Sequence, residues 1–418
     1  MLQARKTTIN VSPDEANIIG HMCYAARKLW NVCNYEKRHY KELGLEKYPD
    51  WYYQKQAHKN DLWYKNLPAQ SAQEVCKLLS GAWKSFFRLT KTGGSENPKP
   101  PRFKQENIPV TYMQKGIVHE YGSPSVRLSL PRQLMAYMLE KYDIDATYLF
   151  IENNLFCDIE KIKQIKLYPP EDGKCKVIAI YEVPDVPLMQ DNGRYLAIDP
   201  GINNLLTCLD SATGETFIVG RKYLSLCHYF YKEIARVQSQ WAKCQSSKGI
   251  QYPKSSKHIL RLYEKKNNAI NDYLHKVTRA IVNYCLEHDI HTVVIGDITG
   301  IRKGKHFEAE TNQKLHAWPF AKIYLLLSYK LANEGIAFIK QKEAYSSQCS
   351  PFAPKITKHY AKKSNRKHRG LYTDQGLSWN ADCVGAYNIL RLYLKTIGKS
   401  VDLTPLEIQV PTVLKVAV

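Results

Sequence analysis

The sequence predicts a mixed chain of β and α/β type, folded in more than one domain. Three observations predict it. Two long amphipathic helical patterns come early, short alternating runs crowd residues 106–188, and from residue 194 onward strands and helices follow one another in turn. At 418 residues the chain exceeds one ordinary domain.

Taken in order, Arg5-Lys-Thr-Thr-Ile-Asn-Val11 alternates and is rich in β-branched residues, which predicts a strand. Ser12, Pro13 and Glu15 then spell a helix start: a capping hydroxyl, a proline in the first turn, and a glutamate three residues after the cap. Ile18, Ile19, Met22, Ala25, Ala26, Leu29 and Trp30 recur at helical spacing, opposite a face bearing Arg27, Lys28, Lys37, Arg38 and Lys41. A second helix is predicted over residues 67–89, with Val75, Leu78, Leu79, Trp83, Phe86 and Phe87 as its buried stripe. Glycines and prolines break that pattern over residues 93–104, a connector carrying Lys99, Arg102 and Lys104. Strands are expected at 125–130, 148–151, 162–167 and 175–181, separated by turn signals. With the first strand they predict an N-terminal β-barrel of residues 1–12 and 106–188, interrupted by a helical insertion of residues 13–105.

Residues 184–193 read as a linker, and a different organisation follows. Strands at 194–199, 203–209 and 215–219 precede helices at 223–244 and 258–287. A strand at 292–297, a helix at 320–333, a strand at 336–341 and a helix after Asp382 complete the pattern. Three antiparallel strands followed by alternating helices and strands is the RNase H-like α/β plan, expected over residues 189–418.

The 60 Lys and Arg against 39 Asp and Glu leave a formal charge of +21, and 29 residues are Tyr. Cations bind phosphate and aromatic rings stack on bases, so nucleic acid is the partner this balance suits. No lipid anchor and no apolar run near the ~20 residues of a spanning helix is present, so a membrane partner is not expected. The 11 cysteines are scattered without a CxxC pair, which points to a reducing cytoplasm rather than a disulfide framework.

Two aspartates stand out. Asp199 ends an apolar strand and is followed by Pro200-Gly201, and Asp382 opens an apolar helix. Singly, the first is an ordinary turn and the second a first-turn aspartate favoured by the helix dipole. Together, in this order around this β/α pattern, they suit phosphodiester hydrolysis with two Mg²⁺ ions held ~3.5–4 Å apart by carboxylates. Without a cation, two carboxylates ~4 Å apart repel by about 4 kcal/mol at an effective dielectric near 20.

The chain resembles the TnpB (OrfB) family of transposon-encoded RNA-guided nucleases, related to the type V CRISPR effectors. The resemblance rests on Arg27-Lys-Leu-Trp-Asn31, Leu67-Pro-Ala-Gln70 with Phe86-Phe87, Pro100-Pro-Arg-Phe-Lys104, Asp199-Pro-Gly201 and Val293-Val-Ile-Gly-Asp297. It continues through Tyr345-Ser-Ser-Gln348, Arg369-Gly-Leu-Tyr372 and Asn380-Ala-Asp382 with Gly385-Ala-Tyr-Asn-Ile-Leu390. It implies a wedge barrel with an inserted recognition lobe, a C-terminal RuvC domain, a transposon-derived guide RNA, and Mg²⁺-dependent cleavage (Mn²⁺ as a substitute) of double-stranded DNA beside a short adjacent motif. It implies a prokaryotic, cytoplasmic protein acting at the nucleoid. Arg27, Lys28, Lys99, Arg102, Lys104, Lys363, Arg366 and Arg369 are the expected nucleic-acid contacts.

The sequence departs from the family in two places. Gly296 stands where the third RuvC carboxylate, a glutamate, is expected. Glu343, at the end of the neighbouring strand, is a replacement, as in some TnpB-like proteins and their eukaryotic relatives the Fanzors; Asp297 re-aimed by a bulge, or a site without a third carboxylate, are the alternatives. The expected catalytic and metal-holding set is therefore Asp199, Glu343 and Asp382. The second departure is the zinc ribbon of many relatives. Residues 344–378 keep Cys349 but not the paired thiols, and Cys349, His359, His368 and Cys383 match no zinc spacing, so zinc is not expected there. That insert is basic instead, with Lys355, Lys358, Lys362, Lys363, Arg366, Lys367 and Arg369 and no acid among them. A nuclease-inactive RNA-guided repressor and a compact type V CRISPR effector remain as rival readings.

Overall fold

Leu2–Asn10 (β1) pairs along its whole length with Lys174–Glu182 (β7), antiparallel, from Leu2↔Glu182 to Asn10↔Lys174. The structure, a computed structural model, describes residues 1–94, 96–301, 308–366, 368 and 370–417. Its contacts divide the chain into two units, Met1–Pro184 and Asp185–Val418.

In the first unit Pro13–Arg38 (α1) begins as its sequence dictates. The Ser12 hydroxyl accepts from Glu15 N, and the Glu15 carboxylate accepts from Ser12 N at 2.8 Å. Trp51–Ala57 (α2), Leu62–Lys65 (α3) and Ala69–Thr92 (α4) follow. Val75, Leu79 and Trp83 of α4 are buried, but Leu78 and Phe87, expected in the same stripe, are exposed at 50% and 46%. Leu78 is one residue off the four-residue spacing of 75, 79 and 83, and ~100° of rotation carries it to solvent; Phe87 keeps that spacing and packs against Tyr48 and Trp83 at 5.6 and 5.5 Å while staying half exposed. Past α4 the chain returns along α1: Asn34 Nδ2, Trp30 Nε1 and Asn31 Nδ2 donate to the carbonyls of Pro101, Arg102 and Lys104. A proline-rich stretch without regular structure thus finds partners for its backbone.

The strands Val110–Met113 (β2), Ile117–His119 (β3), Ser125–Ser129 (β4), Tyr148–Glu152 (β5) and Lys161–Leu167 (β6) do not close into a barrel. They form a four-stranded sheet, β1-β7-β6-β2, and a separate three-stranded sheet, β3-β4-β5. A 3₁₀ turn at Gln114–Gly116 separates β2 from β3, and the helix Arg132–Tyr142 (α5), absent from the sequence reading, fills the β4–β5 connection. Both sheets and the helices share one apolar core.

The second unit is built on a six-stranded sheet. Tyr195–Pro200 (β8), Leu206–Asp210 (β9) and Thr216–Val219 (β10) form an antiparallel meander. Tyr223–Ser246 (α6) and Lys257–Glu287 (α7) lead to Thr292–Asp297 (β11), parallel to β8. Ala309–Ala317 (α8) and Phe320–Asn333 (α9) lead to Ala337–Lys342 (β12), parallel to β11. A hairpin of Leu371–Asp374 (β13) and Leu377–Asn380 (β14) precedes Ala381–Thr396 (α10), and Thr412–Leu414 (β15) pairs with β10. The order across the sheet is β12-β11-β8-β9-β10-β15. Buried runs such as the Thr292–Ile295 stretch of β11 are covered on both faces, by α7 and α9 in one core and by α10 in another.

Candidate active site

Asp199 lies near the end of β8, paired to Thr207 of β9, where the strand turns. A Cβ on Gly201 would stand 2.5 Å from Asn204 O, so only glycine lets the chain turn this sharply. The turn delivers Asn204, whose Nδ2 donates to Asp382 Oδ2 at 2.8 Å. Asp382 sits in the first turn of α10, whose start is capped by Asn380: its Oδ1 accepts from Asp382 N at 2.9 Å and from Cys383 N at 3.4 Å. One turn on, a Cβ at Gly385 would be 2.5 Å from Asp199 Oδ2, so the glycine is what allows the Asp199 carboxylate to rest against the helix backbone.

The neighbouring strands bring a further carboxylate close to Asp199. β11 and β12 pair in parallel with Gly296 opposite Gln341, and Glu343 follows β12 by one residue. Its side chain enters the space above Gly296: a Cβ there would lie 2.0 Å from Glu343 Oε2 and 3.0 Å from Ile389 Cδ1. Glu343 Oε2 is buried and has no hydrogen-bond partner among the described residues. Asp297 turns to its own loop, its Oδ1 accepting from Thr299 N at 2.9 Å. Tyr324 of α9 clamps the end of β11, donating to Gly296 O at 2.6 Å and accepting from Ile298 N at 3.2 Å.

Burial, and then the charges of Glu343 and Asp382, push the Asp199 carboxyl well above the usual carboxylate range, while Arg366 pulls it back. Burial, with the charge of Asp297 behind it, raises Glu343 to about 7. A buried oxygen without a donor, next to a second carboxyl that resists ionisation, is a donor set suited to a hard divalent cation. Among the described residues no group of three or more His, Cys, Asp or Glu side chains is close enough together to hold one ion. The charges of both Glu343 and Asp382 act on Asp199, and Asp382 is also held by the Asn204 amide.

The segment after Glu343 is latched to α10. Asn388, fully buried, donates to Ser346 O at 2.7 Å and Cys349 O at 2.9 Å. Arg391 donates to Asn388 Oδ1 at 3.0 Å, Pro351 O at 3.1 Å and Ala353 O. Cys349 gives its thiol to Thr357 O, Tyr372 donates to Gln348 O, and Cys383 is buried on α10. Arg366 reaches Ser347 O at 3.3 Å, and Lys363 is exposed in a 3₁₀ turn. Arg369 and Lys367 lie outside the described residues.

The other expected contacts belong to the first unit. Arg27 lies over the Tyr24 ring at 4.7 Å, and Lys28 faces Tyr24 and Trp63 at 5.3 and 5.8 Å. Lys104 lies over Trp30 at 4.9 Å, and Lys99 and Arg102 are exposed beside it in sequence. Asn204, Gly385, Tyr324 and Asn388 were assigned no role from sequence. Gly385 and Asn388 lie inside a motif already singled out and Asn204 lies three residues past another, whereas Tyr324 carries no local signal.

Two family models match the chain: "OrfB_IS605: Probable transposase" over residues 179–302, and "Cas12f1-like, TNB domain" over residues 320–389. No curated protein matches. Among solved structures, Cas12f1 in its complex with sgRNA and target DNA shares the fold at a TM-score of 0.59 and 14% identity, over 90% of this chain and 83% of that one. The mini-RNA-guided endonuclease CRISPR-Cas_phi3 aligns at a TM-score of 0.47 and 11% identity, over 96% and 93%. The two models match in tandem across the carboxylate-bearing strands and helix, so over these residues the chain is similar to the OrfB (TnpB) and Cas12f1-like families.

Proposed function

We propose that the chain is an RNA-guided DNA endonuclease whose second unit is an RNase H-like, RuvC-type nuclease domain with Asp199, Glu343 and Asp382 as its acidic residues. One observation carries the assignment: the Glu343 carboxylate fills the space that Gly296 leaves empty, beside Asp199, with a buried oxygen that no donor among the described residues satisfies. The strand order β12-β11-β8-β9-β10 supports the RNase H-like reading. The net charge of +21 and the clusters of cations on aromatic rings support a nucleic-acid partner, and the Cas12f1 neighbour is a complex with sgRNA and target DNA.

Asp199 and Glu343 would hold a divalent cation, with Asp382 completing the set from the start of α10. Bound there, Mg²⁺ or Mn²⁺ supplies activation of a water nucleophile and stabilisation of the leaving oxygen. Asn204 orients Asp382 by its amide hydrogen bond, and Gly385 keeps α10 close enough for Asp199 to be held against it. Tyr324 holds the β11 end in place, so that the cavity above Gly296 keeps its shape. Arg366 brings positive charge toward the carboxylates from the insert, suited to a phosphate of the strand being cut. In this reading the β structure of the first unit is the wedge, residues 13–105 the recognition lobe, and base pairing with a guide RNA supplies sequence specificity beside a short adjacent DNA motif.

The test is cleavage of a plasmid library with a randomised flank, using the chain with its copurifying RNA and Mg²⁺. Asp199→Ala and Asp382→Ala are expected to abolish cutting and to leave RNA binding at the wild-type level, and Glu343→Ala to slow cutting at least a hundredfold. Target binding without nicking by the unmodified chain would replace this reading with that of an RNA-guided repressor.

A further inference from the structure

The first unit contains a cleft of about 610 Å³ that no part of the nuclease reading uses, bounded by α1, α3, α5 and Asn107. Its size is that of a small-ligand site rather than a groove for a duplex. Two pairs of rings line it. Tyr24 and Trp63 meet edge to face at 5.5 Å, and His21 and Tyr137 do the same at 5.4 Å. Besides these rings the lining carries amides and no carboxylate. Asn17 and Asn107 make no side-chain hydrogen bond to any described residue, so both amides are free to donate and accept. Arg27 and Lys28 stand over the Tyr24 ring, which places two cations beside the cleft.

We propose that this cleft receives one unstacked base of a single-stranded RNA, flanked by the ring pairs, read at its edge by Asn17 and Asn107, with Arg27 and Lys28 on the adjoining phosphates. Each part of the lining has a counterpart in such a nucleotide: rings for the base face, amides for the donors and acceptors of its edge, cations for the backbone. A protein or peptide acid would meet the cations but leave the rings and amides unused. RNA is favoured over DNA in a duplex because a loop or bulge base is already unpaired, whereas a duplex base must first be flipped out at a cost of a few kcal/mol. The site rests on the reading that the chain binds RNA, and it goes beyond that reading by naming a pocket and the state of the nucleotide in it.

The experiment uses the full chain in metal-free buffer with a randomised single-stranded RNA pool containing 4-thiouridine, ultraviolet crosslinking and peptide mass spectrometry. Crosslinks are expected at Tyr24, Trp63 or Tyr137. Tyr137→Ala, at a ring 38% exposed, and Asn107→Asp, which keeps side-chain volume and opposes the phosphates, are expected to weaken binding roughly ten- to a hundredfold at unchanged Tm. RNA binding with crosslinks only elsewhere, or with both variants at wild-type affinity, overturns the pocket and leaves the guide-RNA reading standing. Absence of RNA binding overturns both. Crosslinking of a matched 4-thiothymidine DNA pool at these rings, with none from RNA, overturns the assignment to RNA.

Discussion

Gly296 has no side chain, and the volume that one would occupy is filled by the Glu343 carboxylate, 2.0 Å from the place of the missing Cβ. Position 296 and residue 343 are therefore alternatives for one space, and restoring a glutamate at 296 crowds the site instead of improving it. Overpacking of this kind costs about 1–3 kcal/mol and moves whatever can move, here a carboxylate beside Asp199. Gly296→Glu alone is expected to lower plasmid cleavage at least tenfold, and Gly296→Glu with Glu343→Gly to recover a measurable part of it. Equal loss in the single and double variants would show that the two positions do not share the space. Glu343 also makes stability depend on pH. With metal chelated, the folded chain holds the Glu343 proton up to about pH 7, whereas an unfolded glutamate releases it near pH 4.3. Between those values the folded state binds more protons than the unfolded one, so stability falls as pH rises through the window and stays low above it. Glu343→Gln removes that contribution: in EDTA its Tm is expected to exceed the wild-type value at about pH 8, with the gap closing toward about pH 5. Parallel Tm curves would count against a buried, proton-holding Glu343.

On α10, Asp382, Gly385, Asn388 and Arg391 follow at intervals of three, each about 60° round the helix from the last, so that they wind from one side of it to the other. The first two shape the acidic site, and the last two hold the segment that follows Glu343. Thus the helix that presents one carboxylate also fixes the chain that leaves another. Asn388→Ala leaves the carbonyls of Ser346 and Cys349 without their donor, a cost of about 1–3 kcal/mol for buried groups. The expected outcome is faster limited proteolysis within residues 344–370 while the rest of the second unit stays resistant; an unchanged digestion pattern would mean the latch is redundant. Helix patterns with caps or long stripes were legible in the sequence, as α1 and α9 show. Short elements were not. α5 buries only Leu134 and Met138, and β15 is three exposed residues that exist as a strand because β10 offers them an edge.

At the scale of the whole molecule, each unit has its own apolar core, and the features suited to nucleic acid are divided between them. The first unit carries cations laid on rings along α1 and the connector beside it. The second carries the carboxylates and the basic insert. Composition raised the expectation of a polyanion partner before any fold was known, because net charge and ring content need no coordinates. The barrel expected for the first unit failed for a related reason: alternation identifies strands but says nothing about which edges meet, and β2 and β3 part at a 3₁₀ turn to enter different sheets.

Elements with local signals were legible without coordinates: the capped start of α1, the strand and turn around Asp199, the apolar helix opened by Asp382, and the absence of a glutamate at position 296. The sequence left three possibilities for the third carboxylate. Only the tertiary structure decided that Glu343 enters the space over Gly296, that Asp297 turns to Thr299, and that Asn204 and Gly385 pose Asp382 and Asp199. The physical reason is that a side chain's reach across a parallel strand pair depends on register and on the volume its neighbour vacates. Both are properties of packing between segments far apart in the chain.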